Sequence, residues 1–196
     1  MLPDSFAIVG ALIGSLGGFY YLYATITGHA QPNRVTWLLW GTFPMIIFVA
    51  QRVQGVEGQS WVSLVAGSTP LLIVAASVVN KRAYWKTEPR DYALMAAAIL
   101  GIVLWAVTDN PNLALLFALL ADVLAAVPTL IKAYTDPRSE SWPAYAISAF
   151  GFGISILALQ TVNFENAAFV VNVFLMNLAL ALLAARGRNE RPTGGD

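Results

Sequence analysis

Few residues in this chain have a type and position suited to chemistry, and Asp122 comes first among them. It is the only formally charged residue well inside any long apolar run of the 196 residues. An acid at the centre of a membrane helix costs on the order of 2.5 to 3.5 kcal/mol on insertion scales, so it faces a bundle interior and has a role by default. No Lys or Arg is expected at comparable depth. Asp122 is then either protonated at rest or bonded to hydroxyls and water. Proton coupling, or holding a polar or cationic solute, are the functional roles that fit; a hydrogen-bonded packing role is the alternative.

Other polar side chains fall at similar depth in other apolar runs: Ser68 and Thr69 ahead of Pro70, and Asn172 and Asn177. Together with Asp122 they form the expected substrate-binding set. The two asparagines are separated by about 140° around a helix of 3.6 residues per turn, so only one is expected to face a common cavity. Which one is open. The hydroxyls before Pro70 have a second reading, in which they rebond backbone groups freed by the proline. There is no cysteine and a single histidine, His29, which excludes thiol chemistry and leaves no basis for a metal site. His29 falls in a loop and reads as solvated, with proton sensing as the sharper alternative. An intramembrane enzyme needs a nucleophile and base or paired carboxylates at one depth, so no catalytic residue, cofactor or enzymatic activity is expected. No lysine lies in the last apolar run, which removes a retinal-type photoreceptor.

The elements that must position these residues follow from composition. With 58% hydrophobic and 11% charged residues, the chain cannot cover a water-facing surface. Apolar runs extend over Phe6 to Thr27, Val35 to Gln51, Trp61 to Val79, Tyr92 to Val107, Leu113 to Ile131, Trp142 to Val162 and Ala167 to Ala185. A membrane helix needs roughly 17 to 25 residues, so seven spans are predicted. The runs do not alternate, which excludes strands. The first run carries no base before it and no evident cleavage site, and reads as an uncleaved span rather than a signal peptide.

Lys and Arg set the orientation. Ten lie in alternate connections and the tail (Arg34, Lys81, Arg82, Lys86, Arg90, Lys132, Arg138, Arg186, Arg188 and Arg191), whereas the opposite set holds only Arg52. The asymmetry predicts an outside N-terminus and a cytoplasmic C-terminus. Trp37, Trp40, Trp61, Trp105 and Trp142 then read as an interfacial belt. Gly10, Gly14 and Gly18, spaced by four, with Gly17 beside them, form a small-residue face for close helix contact.

A shift of 105 positions lays Pro32 on Pro137, Thr36 on Ser141, Trp37 on Trp142, Trp40 on Tyr145 and Ile26 on Ile131. The apolar runs coincide as well, which points to an internal repeat. Three helices enter on one side and leave on the other, so a fourth must restore direction before a second copy can run parallel to the first. The predicted fold is all-α and integral to the membrane: seven transmembrane helices as 3+1+3, two parallel triple-helix bundles joined by a linker helix. The expected divisions are 1–80 for the first bundle, 81–110 for the cytoplasmic loop and linker helix, 111–186 for the second bundle and 187–196 for a disordered cytoplasmic tail.

In that plan, and in the stretch Ala126-Val127-Pro128-Thr129-Leu130-Ile131-Lys132 followed by Trp142-Pro143, the chain resembles the PQ-loop and SWEET superfamily of small-solute carriers. Pro128, Pro143 and Pro44 match family prolines and would act as hinges. Thr129 stands where the family pattern has glutamine, and the first repeat has Tyr23-Ala24 with no proline. The resemblance implies an asparagine of the third helix of a bundle as a ligand for solute hydroxyls, and a bacterial inner (plasma) membrane location. Vitamin-precursor carriers of the same seven-helix plan are a related family whose motifs are not placed here.

The function expected is transport of a small polar solute, a sugar or similar metabolite, by alternating access between the two bundles, without sugar specificity being implied. A non-transporting membrane receptor or scaffold is the alternative, ahead of an intramembrane enzyme. The partners expected are a small-molecule solute and the lipid bilayer, with proton coupling as an option and no nucleic acid.

Overall fold

The computed structural model describes residues 2, 3, 5–53 and 58–188. Seven α-helices account for most of them: α1 (Ser5–Ile26), α2 (Arg34–Val53), α3 (Gly58–Val79), α4 (Pro89–Val107), α5 (Pro111–Thr135), α6 (Trp142–Leu157) and α7 (Phe164–Ala185). Short 3-10 turns lie at Lys81–Ala83, Pro137–Ser139 and Arg186–Arg188. There is no strand among the described residues. The expected tail, 187–196, falls mostly outside them.

Local chemistry explains the starts of these helices. Free N–H groups of a first turn need acceptors, and asparagine supplies them. Asn33 accepts from the Val35 amide at 3.0 Å. Asn110 accepts from the Asn112 and Leu113 amides ahead of Pro111 in the first turn of α5, and Asn163 accepts from the Asn166 amide at 2.9 Å. The last of these also bears on a difference from expectation. The apolar run from Trp142 predicts a helix to Val162, but α6 ends at Leu157. Residues 158–163 connect it to α7, because the backbone turns back through Ala158 and Leu159 onto carbonyls of Ile154, Ser155 and Ile156. Hydropathy alone does not register such a turn. In the other direction, α5 runs past Ile131 to Thr135 and carries Lys132 inside its last turn.

Among the described residues, four helices are long and apolar enough to cross a membrane: Phe6–Ile26, Pro89–Val107, Leu115–Thr135 and Asn166–Ala185; three shorter apolar stretches lie in the remaining helices. The outer surface fits an apolar solvent. Ile8 is 67% exposed, Leu12 64% and Phe150 64%, with many further Leu, Val and Phe side chains turned outward. A water-soluble protein does not present so continuous an apolar exterior.

Packing follows one pattern twice. Helix α3 packs against both α1 and α2, and α7 packs against both α5 and α6; α1 also meets α6, and α2 meets α5. Helix α4 lies on α5 and touches α2. The glycine face of α1 lies against α6. A Cβ at Gly10 would meet Ser155 and the Gly151 carbonyl, and one at Gly17 would meet Ser148 and the Ala144 carbonyl. In return a Cβ at Gly151 would meet the Gly14 backbone. Close approach lets side chains of one helix reach carbonyls of the other: Ser148 Oγ donates to Gly14 O at 2.9 Å and Ser155 Oγ to Ala7 O at 3.2 Å. Small residues are what permit such contacts where no water is available to drive association.

Candidate functional site

Where the helices meet, they enclose a cavity of about 520 Å³ with lining residues from all seven. This lies within the roughly 300–1,000 Å³ of small-molecule sites. Asp122 lines it, from the middle of α5. Its Oδ2 accepts a hydrogen bond from Asn172 Nδ2 at 2.8 Å, across the α5–α7 contact. The Trp40 indole lies within electrostatic reach of the same carboxylate, but its N–H meets hydrogen-bond geometry with nothing among the described residues. Ion pairs seen between described residues lie elsewhere, Arg90 with Glu88 and Asp91, and Lys132 with Glu140.

The other sequence-predicted residues are distributed unevenly. Asn177 lines the cavity, with its Nδ2 donating to Val173 O at 2.9 Å on its own helix. Asn172 reaches Asp122 but is not part of the lining. Thr69 lines the cavity and returns its hydroxyl to Val65 O at 3.1 Å. Ser68 lies outside the lining and donates to Leu64 O at 2.7 Å. Both hydroxyls thus return to carbonyls of their own helix one turn back, and neither bonds the Ala66 carbonyl that Pro70 leaves without an amide, so the expected rebonding of the freed group is not what they do. Of the three prolines, Pro44 lies inside α2 at the cavity wall and Pro128 lies buried inside α5. Pro143 is the second residue of α6. A proline in a first helical turn breaks no helix hydrogen bond, so this one starts a helix rather than hinging it.

At the end of the cavity nearest the basic connections lies a buried polar cluster. Lys132 Nζ is 2.7 Å from Glu140 Oε1, in an ion pair whose side chains are 1% and 0% exposed. The contact is ionic rather than a directed hydrogen bond, since Oε1 meets no donor in hydrogen-bond geometry. Glu140 Oε2 accepts from Tyr21 Oη at 2.6 Å and from Tyr145 Oη at 2.8 Å. Lys132 Nζ donates to the Gln31 carbonyl and, at 3.3 Å, to Ser139 O. It also lies 4.9 Å from the centre of the Trp85 ring. Tyr21 and Tyr145 belong to both structures, since their rings line the cavity while their hydroxyls hold Glu140.

Sequence reasoning missed this cluster. Lys132 enters the sequence reading only as an orientation charge and Glu140 not at all, yet both are buried. The available signal was a basic and an acidic residue flanking a short turn directly beneath an apolar helix. Nothing in that pattern supplied the two tyrosines. Three of the tryptophans expected in the interfacial belt lie inside instead. Trp37 is 5% exposed and stacks on Tyr21 with centroids 4.3 Å apart, while Trp40 packs edge-on against Trp37 at 5.3 Å. Trp105 meets Phe43 at 5.3 Å. All three line the cavity. The aromatic–aromatic contact in a shared interior outweighs the interfacial preference there. The side chain of Trp61 lies outside the described residues.

Comparison with protein-family models, with curated proteins and with solved structures finds no match for this chain.

Proposed function

We propose that this chain is a membrane carrier that moves a small solute by alternating access between two triple-helix units, residues 1–80 and 111–186, joined by the segment 81–110 that contains α4. The observation that carries the reading is the cavity of about 520 Å³ at the meeting of all the helices, sealed at one end by a contact between the two units. Tyr21 and the Gln31 carbonyl come from the first unit; Lys132, Glu140 and Tyr145 come from the second. Separating the units would break these contacts together and open that end.

The helix contacts favour the same plan. In each unit the third helix lies against the other two, and the contacts α1–α6 and α2–α5 exchange under a two-fold relation between units. The basic residues cluster at the sealed end, so the orientation rule makes that end cytoplasmic and the N-terminus external. The cavity then faces away from the cytoplasm in this conformation. Asp122 is the site for solute or proton, and an applied pH gradient is one way to drive the cycle. The receptor or scaffold reading has no observation of its own beyond the cavity.

The test is counterflow and gradient-driven uptake with a solute panel in vesicles containing the purified protein. A single cysteine is introduced at Ala133, buried in the seal; the natural chain contains none. Solute-dependent labelling of that cysteine with saturable flux supports the carrier. Saturable solute binding with no flux under any gradient, and no change in labelling, would replace it with a receptor.

A further inference from the structure

The free polar atoms of the cavity are fewer than its polar residues. Ser15 Oγ donates to Ala11 O at 2.9 Å, Ser148 Oγ to Gly14 O at 2.9 Å, Thr69 Oγ1 to Val65 O at 3.1 Å and Asn177 Nδ2 to Val173 O at 2.9 Å. The Tyr21 and Tyr145 hydroxyls are committed to Glu140. The donors of the cavity are thus largely spent within the protein, and the indole N–H groups of Trp37 and Trp40, though without a hydrogen-bond partner among the described residues, are enclosed. What remains for a ligand is chiefly acceptors, the Asp122 carboxylate first, with the Asn177 carbonyl oxygen and hydroxyl lone pairs beside it.

That inventory suits a sugar poorly. A polyol brings a hydroxyl on nearly every carbon, and each hydroxyl taken from water without a partner is penalised. The rest of the site points elsewhere. Tyr21, Trp37, Trp40 and Tyr145 form an aromatic wall at its sealed end, and Asp122 stands in the same cavity with only the neutral Asn172 bonded to it. Lys132, the one buried Lys or Arg among the described residues, is occupied by Glu140. A carboxylate without a cation, beside aromatic faces in a cavity walled mostly by apolar side chains, attracts positive charge through both its own charge and the ring quadrupoles. One carboxylate balances one charge; a divalent ligand would leave a charge uncompensated inside the bundle.

We infer that the cavity selects a monovalent organic cation with an apolar or aromatic body, of the quaternary ammonium or pyridinium type, over uncharged polyols. The assignment rests on reading the cavity as the solute site. In it the cationic head lies at Asp122 and the body against the rings of Trp37 and Trp40.

The test uses the purified full-length chain in uncharged detergent, with binding followed by tryptophan fluorescence. Benzyltrimethylammonium is compared with benzyl alcohol and with glucose. Choline is compared with its carbon isostere dimethylbutanol, which differs in charge and hardly in shape and needs no variant. Each cation is expected to bind at least about tenfold more tightly than its neutral counterpart, and Asp122→Asn to weaken cation binding by about tenfold or more while leaving benzyl alcohol unchanged. Equal binding of choline and dimethylbutanol, tighter binding of glucose than of either cation, or unchanged cation affinity in folded Asp122→Asn would overturn the assignment.

Vesicle uptake separates this inference from the carrier reading. Asp122-dependent cation binding without uptake keeps the cation site and removes transport. Glucose uptake that benzyltrimethylammonium does not compete with keeps transport and removes the cation site.

Discussion

Asp122 and Glu140 are two carboxylates within one apolar chain, and the structure treats them in opposite ways. Glu140 has a cation 2.7 Å away and two tyrosine hydroxyls at 2.6 and 2.8 Å, with its side chain fully enclosed. Asp122 has one neutral partner, Asn172, and faces an open cavity. The first acid is satisfied by protein, the second only in part. A buried charge that is fully paired contributes to holding neighbouring segments in register, whereas one left short of partners is available to something that enters. The contrast separates a latch between helices from the proposed ligand site, although both acids belong to the same half of the chain.

The contrast can be broken at the latch first. Lys132→Met leaves Glu140 enclosed without its cation, and the expected loss of stability is about 3–5 kcal/mol, measured by denaturant unfolding in micelles. Adding Glu140→Gln to that variant removes the stranded charge and keeps an acceptor for both tyrosines, so most of the loss should return. A double variant as unstable as the single one would show that the pair is not coupled as described. Tyr21→Phe comes next. Deleting one hydrogen bond to a charged group costs about 1.5–3 kcal/mol, and the same substitution at Tyr145 should cost a similar amount. Indifference of thermal stability to both would mean that Glu140 is not held from the cavity side.

Smaller effects sharpen the other side of the comparison. Asp122→Asn retains a group that can hydrogen-bond Asn172, so unfolding free energy should move by less than about 1 kcal/mol, in line with the roughly 0.6 kcal/mol typical of membrane side-chain hydrogen bonds. Cation binding should nevertheless weaken by about tenfold or more. If instead this variant were as destabilised as Lys132→Met, Asp122 would be a structural acid like Glu140. Thr69→Val should change least. Its hydroxyl is occupied by Val65 O at 3.1 Å, so ligand affinity should stay within about twofold of wild type, a difference of roughly 0.4 kcal/mol. A larger loss would return Thr69 to the binding set.

Much of the architecture was legible in the chain because membrane helices write themselves as long apolar runs. The starts of α2, α5 and α7 are set by local groups, Asn33, Asn110 and Asn163. The glycines of α1 announced a close contact, and the contact exists, but their spacing could not name α6 as the partner. Asp122 stood out because a lone acid in an apolar run is costly wherever it lies. Its asparagine partner was within the expected set, whereas Ser68 and Thr69 attend to their own helix.

What the sequence by itself determined, then, is the solvent the chain suits, the helical segments and one anomalous carboxylate, all of them properties of composition and near-neighbour chemistry. Only the tertiary structure decided that Lys132 and Glu140 are buried together, that Tyr21 reaches Glu140 across 119 positions of chain, and that Trp37, Trp40 and Trp105 turn inward to line a cavity. The physical reason is that periodicity fixes which face of a helix is apolar, while pairing between faces depends on distances that close only when the helices meet. An aromatic ring satisfies a lipid interface and a protein interior almost equally well in sequence. Neighbours from distant segments settle which it becomes.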